Sequence, residues 1–252
     1  MDQRPVTGPL CRERRPAAFE RGGAVPGGDY ALAVNVPSWD RHGRAKIAAD
    51  GLNTRPARHR FRWTRTCDGD ADPGAELLGE VAGRRVIELG CGAGDNLAHL
   101  VERGARGVGL DPARSQILRA RARWPEPLFH HVDAARYLAS CAKADTIFST
   151  YGALGLYPTA PLLALICQAL RLGGLLAASA PLGSGTDVGS RYTVRLSDGG
   201  TAPVIRFDHT PDGWRDLLTA AGFADVEITV VEESAAPNTV ILRARRPEHH
   251  HR

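Results

Sequence analysis

Glycines stand at alternate positions in Gly90-Cys91-Gly92-Ala93-Gly94, directly after the apolar run Val86-Ile87-Glu88-Leu89 and directly before a helical stretch. Glycine lacks a Cβ, so a ligand can approach the backbone closely there. The helix that follows presents free N–H groups at its start. Asn96 lies in its first turn, and Glu88 sits two residues ahead of the first glycine. Asp111 ends the next apolar run, 17 residues beyond Gly94, where a carboxylate can accept hydrogen bonds from both hydroxyls of a ribose. Asp133 follows the third run and precedes Ala134, a place from which it can accept from an adenine amino group. Each feature also has a purely structural reading. The glycines suit a tight strand-to-helix turn, and Asp111-Pro112 and Asp133-Ala134 both suit helix N-caps. Three such features at the carboxyl ends of three successive strands point to a nucleoside-containing ligand, because open α/β sheets bind ligands along that edge. The spacing G-x-G-x-G differs from the G-x-G-x-x-G of dinucleotide binders and disfavours NAD-dependent reduction.

The elements that must position these residues alternate regularly. Strands are expected over 85–89, 107–110, 128–132, 146–150 and 175–180, and helices over 95–103, 113–123, 134–140 and 159–171. That alternation implies βαβ units and a mainly parallel α/β sheet flanked by helices. A further helix is expected over 212–221, then a hairpin-like strand pair over 226–231 and 239–244. Segments 191–196 and 203–208 flank Ser197-Asp198-Gly199-Gly200 and read as an inserted β-hairpin. Upstream, residues 1–28 read as a flexible tail and 29–82 as a cap segment. In the cap, a helix is expected over 36–51, opening at Pro37-Ser38, then a loop over 53–74 and a short helix over 76–81. The main domain spans 83–247 with an insertion at 182–209, and 248–252 form a second tail.

Composition narrows the class. The chain has 252 residues, 43% of them hydrophobic and 24% charged, which suits one globular domain with appendages. A formal charge of +4 is too weak to argue for nucleic acid by itself. The five cysteines are odd in number and none pair at CxxC spacing, which argues against a disulfide framework or a cysteine zinc site and for a reducing, cytoplasmic setting. The longest apolar stretch, 161–181, is interrupted by Gln168, Arg171, Gly173 and Gly174, so no membrane span is expected.

Taken together, Glu88-x-Gly90-x-Gly92-x-Gly94, Asp111, Asp133, the turn Leu170-Arg171-Leu172-Gly173-Gly174 and the terminal Ala221-Gly222-Phe223 stretch resemble class I S-adenosylmethionine-dependent methyltransferases. The similarity spans roughly 84–246. A looser match at Phe61-Arg62-Trp63-Thr64 and 73–78 resembles bacterial small-molecule, natural-product type methyltransferases. The resemblance implies a Rossmann-like seven-stranded sheet of order 3-2-1-4-5-7-6 with its last strand antiparallel. It implies S-adenosyl-L-methionine as cofactor and S-adenosyl-L-homocysteine as product. It places Trp63, Glu88, Gly90, Cys91, Gly92, Gly94, Asn96, Asp111, Pro112, Asp133, Ala134 and Ser149 at the cofactor, with Trp39 and Trp63 lying over it or packing in the core.

Methyl transfer from a sulfonium is an in-line displacement that needs chiefly alignment, with a base only where the acceptor must lose a proton. Trp39, Tyr151, Tyr157 and His209 are the acceptor-side candidates, and Tyr151 and His209 the candidate bases. His130-His131 ends the third strand and reads as packing. After the fourth strand the chain reads Ser149-Thr150-Tyr151-Gly152, without the Asn/Asp-Pro-Pro-Tyr/Phe of amino-methylating nucleic-acid enzymes. Asp145 begins that strand, at the wrong end for a catechol-type metal site. The expectation is therefore a metal-independent enzyme, a monomer or homodimer, acting on a small molecule in specialised metabolism. Two alternatives stay open. Segment 41–66 carries eight cations against Asp50 alone and could track RNA phosphates. The fold could also bind its cofactor without turnover.

Overall fold

A computed structural model describes residues 27–55, 60–66, 72–185, 189–234 and 237–248. Most of the two expected tails, 1–26 and 249–252, lies outside the described residues. The order of elements is α1 (Gly28–Asp50), β1 (Arg85–Leu89), α2 (Asp95–Glu102), β2 (Arg106–Asp111), α3 (Arg114–Arg123), β3 (Leu128–His131), α4 (Ala134–Leu138), β4 (Ala144–Thr150), α5 (Thr159–Ala169), β5 (Leu170–Pro181), β6 (Ser190–Arg195), β7 (Thr201–Arg206), α6 (Pro211–Ala220), β8 (Ala224–Val231) and β9 (Thr239–Arg245). A short 3-10 helix, Gly74–Leu78, stands where an α-helix over 76–81 was expected.

Seven strands form one sheet in the order β3-β2-β1-β4-β5-β9-β8. The first five run parallel, and β9 is antiparallel to both β5 and β8. β6 and β7 pair only with each other, in a separate two-stranded sheet. With that hairpin left out of the numbering, the order is the expected 3-2-1-4-5-7-6. Along β1 successive side chains enter different cores, as the two-residue period of a strand demands. Ile87 and Leu89 join Leu162, Ile166 and Trp214 from the α4–α6 layer. Val86 joins Leu97, Leu100 and Ile117 from α2 and α3, with Phe148 of β4. With both faces covered, the carboxyl edge of β1–β4 is left as the place for a site.

α1 corrects the expected cap. It begins at Gly28, eight residues before the expected start, and Pro37 lies inside it. Proline is a common helix opener because its missing N–H is harmless there. Here tertiary contacts on both sides of Pro37 hold the helix through it. Ala31 is buried with Ile205 and Phe207, and Ser38 Oγ donates to Pro203 O at 2.7 Å. Asn35 donates to Leu156 O and Ile205 O at 2.9 and 3.0 Å and accepts from Ile205 N at 2.7 Å. At its other end, Asp40 accepts from Ser115 N of α3 at 2.8 Å. α1 is thus clamped between the hairpin and α3, across the carboxyl edge of the sheet.

Candidate functional site

A cavity of about 700 Å³ opens between that edge and α1. The loops after β1, β2, β3 and β4 make its floor, and Leu32, Asn35, Val36, Trp39 and His42 of α1 make its roof. The floor forms because Gly90 N and Cys91 N donate to Leu110 O at 2.8 and 2.9 Å, bending the chain away as β1 ends. Gly90 has φ +73°, and a Cβ there would meet Gly152 Cα and Ala153 N at 2.7 Å, so the loops after β1 and β4 touch backbone to backbone. Gly92 has φ +52°, and a Cβ there would meet nothing within 4 Å. Gly90 is required by the fold, whereas Gly92 keeps space open at a cavity wall. Gly94 caps α2 against the ring of Phe129 and does not line the cavity.

The floor carries four carboxylates, Glu88, Asp95, Asp111 and Asp133. Glu88 is buried, and its Oε2 has no hydrogen-bond partner. Burial, then the nearby Asp95, pushes its pKa well above the usual carboxylate range. An orphaned buried oxygen of this kind fits a cationic ligand group. Asp111 accepts from Gly92 N at 3.0 Å and from Ala113 N at 2.8 Å. Burial outweighs those bonds and raises its pKa to about 6. Each oxygen keeps a second lone pair, so the capping and diol-binding readings hold together. Asp133 caps α4 by accepting from Arg136 N at 2.8 Å, and it also lines the cavity beside Ala134. Pro112 and Cys91 complete this wall, and burial keeps the Cys91 thiol protonated.

Other expected residues reach the cavity in different roles. Asn96 accepts from Arg62 N and donates to Arg62 O, both at 3.0 Å, and donates to Thr150 Oγ1 at 3.1 Å. It pins the 60–66 segment over the floor. Tyr151 and Tyr157 both line the cavity, and burial raises each phenol to about 12. Tyr151 stands at φ +49° and donates to Glu233 Oε1 at 2.9 Å, with Thr239 Oγ1 also in contact. Burial alone would raise the Glu233 pKa, but hydrogen bonds from Thr239, Thr66 and Tyr151 lower it to about 2. A neutral phenol facing a carboxylate is a hydrogen-bond donor and a poor base at neutral pH.

Three expected residues lie behind the walls. Trp63 is fully buried against Phe61 and Phe148, with Nε1 donating to Gly74 O at 2.7 Å. Ser149 is fully buried and donates to Leu89 O at 2.8 Å, tying β4 to β1, while Thr150 lines the cavity in its place. His209 corrects the expected base. It is buried, its Nε2 sits 2.8 Å from Thr159 Oγ1, and its ring packs edge-on against Trp214. Thr210 caps α6 directly after it, and His209 lies between α5 and α6 and does not line the cavity. His131 bonds to Pro112 O, and His130 stacks near Tyr137.

Sequence reasoning missed several lining residues. Arg60, Arg62 and Thr64 enter the cavity while Phe61 and Trp63 enter the core, a two-residue alternation visible in the sequence. Leu32, Asn35, Val36, Trp39 and His42 form a stripe at helical spacing, obscured when Pro37 is taken as a helix start. Gln116 of α3 completes that end. The cations of 41–66 are engaged within the protein. Arg41, Arg44 and Lys46 pair with Asp198, Asp40 and Asp50. Arg55 stacks on Trp124 and Arg65 on Tyr151, while Arg58 lies outside the described residues.

Known proteins are similar in sequence and share this fold. Residues 86–174 match the model of a family described as a methyltransferase domain. Trans-aconitate 2-methyltransferase of Acidovorax sp. (strain JS42) is 30% identical over 159 residues, 61% of this chain and 60% of that protein. The chain thus spans less than two thirds of that relative's length. An S-adenosylmethionine dependent methyltransferase structure from Mesorhizobium loti superposes with TM-score 0.52 at 22% identity, over 68% of this chain and 94% of that one. The 1,6-didemethyltoxoflavin-N1-methyltransferase of Burkholderia thailandensis, solved with 1,6-didemethyltoxoflavin and S-adenosylhomocysteine, superposes with TM-score 0.51 at 16% identity, over 90% and 93%. Among the described residues, no helix is long and apolar enough to cross a membrane.

Proposed function

We propose that this chain, a class I S-adenosylmethionine-dependent methyltransferase by its domain and fold, methylates a small molecule held between the sheet edge and α1. The observation that carries this is the roofed cavity of about 700 Å³, with cofactor-type carboxylates on its floor and α1 across its top. Its volume suits a nucleoside cofactor together with a compact acceptor. Among the described residues, cations of the basic segment are engaged in ion pairs, ring stacking and the cavity wall, which favours a small acceptor over an RNA.

Bound at this floor, the cofactor supplies a sulfonium methyl already activated for displacement. Glu88 Oε2 would accept from its ammonium group, Asp111 from the ribose hydroxyls and Asp133 from the adenine side, while Gly92 leaves the space the ligand needs. Tyr151, Tyr157, Val36 and Leu32 then shape the acceptor side and exclude water, so the protein contributes alignment before proton transfer. A role in specialised metabolism is supported by the toxoflavin-type neighbour, whose match covers 90% of this chain, and an organic-acid acceptor by the trans-aconitate relatives.

The test is calorimetric titration with S-adenosylmethionine, S-adenosylhomocysteine and NADH, followed by a mass-spectrometric acceptor screen that includes trans-aconitate. Binding of both sulfur nucleosides, no binding of NADH, and a gain of one methyl on a small acceptor are expected. Binding of NADH alone would overturn the cofactor reading. Cofactor binding with product formed only on RNA would favour the nucleic-acid alternative, and no product on any acceptor would favour a non-catalytic binder.

A further inference from the structure

The turn after β4 is held from outside the cavity. Thr150, Tyr151, Gly152 and Ala153 all line the cavity wall. They rest directly on the glycine loop. Ala153 N donates to Leu89 O at 3.3 Å, and a Cβ on Gly152 would collide with that same oxygen. Tyr151 stands inside this turn at φ +49° although it is not a glycine. Such a residue keeps left-handed backbone only where its surroundings fix it. Its N–H donates to Ser179 O at 2.9 Å, and its side chain is gripped twice. The phenol donates to Glu233 Oε1 at 2.9 Å, and the Arg65 guanidinium lies over the ring, 5.1 Å from its centroid. Arg65 is tied in turn to Pro237 O at 2.8 Å.

Glu233 follows β8 and does not line the cavity. Besides the phenol, its Oε1 accepts from Thr239 Oγ1, at the fully buried start of β9. Its Oε2 accepts from Thr66 N at 2.7 Å, Thr66 Oγ1 at 2.6 Å and Arg65 N at 3.2 Å. Arg65 and Thr66 end the 60–66 segment, whose Arg60, Arg62 and Thr64 line the cavity. One carboxylate thus grips the turn after β4 with one oxygen and the 60–66 segment with the other. A carboxylate only accepts, and its acceptor sites here are filled from within the protein. Glu233 is therefore no base for a substrate. It can only fix geometry.

We infer that Glu233 is a positioning residue for methyl transfer: through Tyr151 it fixes the 150–153 wall against the glycine loop, and so sets the line from acceptor to cofactor. The inference rests on the small-molecule methyl-transfer reading above. An in-line displacement is sensitive to alignment, and a misplacement of about 1 Å can cost about a hundredfold in rate. Loosening this wall therefore acts on the rate of transfer more than on affinity for the cofactor, whose carboxylates stand on other loops. The inference also accounts for the strained Tyr151 backbone. The side chain is an anchor outside the wall, and the wall takes the shape that the anchor dictates.

The experiment compares the full chain with Tyr151→Phe, Glu233→Leu, Glu233→Gln and the double variant Tyr151→Phe/Glu233→Leu. Each is titrated with S-adenosylhomocysteine and assayed on the acceptor that gains a methyl with the parent. Tyr151→Phe and Glu233→Leu should each lower kcat by about tenfold or more, with a smaller change in acceptor KM and S-adenosylhomocysteine affinity within about threefold. The double variant should be within about twofold of the worse single, because both remove one shared bond. Glu233→Gln should recover kcat by about fivefold over Glu233→Leu, since its oxygen can take the Thr66 N–H while its NH2 donates to the phenol oxygen. A second readout needs no acceptor. With 3-fluorotyrosine in place of the five tyrosines, the fluorine line that Tyr151→Phe removes should be single and narrow in the parent and broadened or split in Glu233→Leu. The inference is overturned if both single variants turn over as the parent does, if their losses multiply in the double, or if the fluorine line keeps its width. It is also overturned if the loss falls on S-adenosylhomocysteine affinity, which would assign Glu233 to the cofactor. Should Glu233→Leu not fold, Tyr151→Phe decides by its kcat, and a kcat equal to the parent's overturns the inference. A parent that binds no S-adenosylhomocysteine or methylates no acceptor sinks the methyl-transfer reading itself, while the fluorine line still decides whether Glu233 holds Tyr151.

Discussion

The floor and the roof of the cavity are built by different means. The floor is made by backbone: parallel strands in register, a Gly90 loop bonded to Leu110 O, and an Asp111 side chain held by the backbone N–H groups of Gly92 and Ala113. The roof is made by side chains reaching over long sequence separations. Asn35 alone binds residues 121 and 170 positions away. A floor of this kind is stiff and fits any ligand of one class. A roof of this kind can be retuned by single substitutions without disturbing the sheet. The difference suggests a division of labour, with cofactor binding in the floor and acceptor choice in the roof.

The sharpest way to break that division is inside the floor. Gly90→Ala combines left-handed strain, about 1–2 kcal/mol, with overpacking against backbone that cannot swing aside, about 1–3 kcal/mol. Denaturant unfolding should show a loss of about 2–5 kcal/mol. Gly92→Ala has the same kind of φ but open space around it. It should cost only about 1 kcal/mol of stability and yet abolish S-adenosylhomocysteine binding in calorimetry. Equal stability losses from the two would mean that Gly92 serves the fold, not a ligand.

Asn35→Ala probes the roof. It strips three hydrogen bonds and strands the buried Ile205 N–H, at a cost of about 2–4 kcal/mol. Hydrogen exchange should speed up in α1 and β7 by about a hundredfold while β1 and β2 keep their protection. Cofactor affinity should change far less than acceptor affinity. Uniform loss of protection across the sheet would show that roof and floor unfold as one unit.

How legible each region was in the sequence follows the same line. β1 runs over the residues expected of it, and α2 to α6 end within a few residues of expectation, because period and caps are local signals. Asp111 and Asp133 were found for the same reason, each lying just past an apolar run. The roof was misread because its determinants are contacts between distant segments. Pro37 gave a strong local signal that the clamps around it override. His209 is the histidine that sequence singles out as a base, yet His42, which it passes over, is the one that reaches the cavity. Nothing local distinguishes them. Only the docking of α1 on α3 and the hairpin does.

Asp111 offers a titration within the floor. Its pKa, raised by burial to about 6, exceeds the unfolded value of about 3.9, so the native state holds the proton more tightly. Stability of the ligand-free protein should therefore fall as pH rises from about 4 through 6, by up to about 3 kcal/mol from this group. Asp111→Asn should lack that slope, which parallel melts at pH 4.5 and 7 would reveal. Ribose hydroxyls donating to the carboxylate favour its charged form, so the parent's affinity for S-adenosylhomocysteine should rise from pH 5 to 7 and then level off. Asp111→Asn should bind more weakly by about 1–3 kcal/mol and without that rise. A parallel rise in the variant would move the titration to another group, with Glu88 the first to examine.

The smallest effect on chemistry is expected at His209, outside both regions. Its contacts include Thr159 at the start of α5 and Trp214 in α6, so it joins two helices of one layer. His209→Phe keeps a ring against Trp214 and removes the Thr159 bond. It should cost about 1–2 kcal/mol of stability, measured by denaturant. Turnover per folded molecule, on whichever acceptor the mass-gain screen identifies, should stay within about twofold, with the parent's pH profile. Retained activity would confine acceptor chemistry to the roof and the two tyrosines. A folded His209→Phe protein whose kcat drops by about a hundredfold, the scale of losing a general base, would instead bring the α5–α6 layer into the site. In that event the division between floor and roof would not hold.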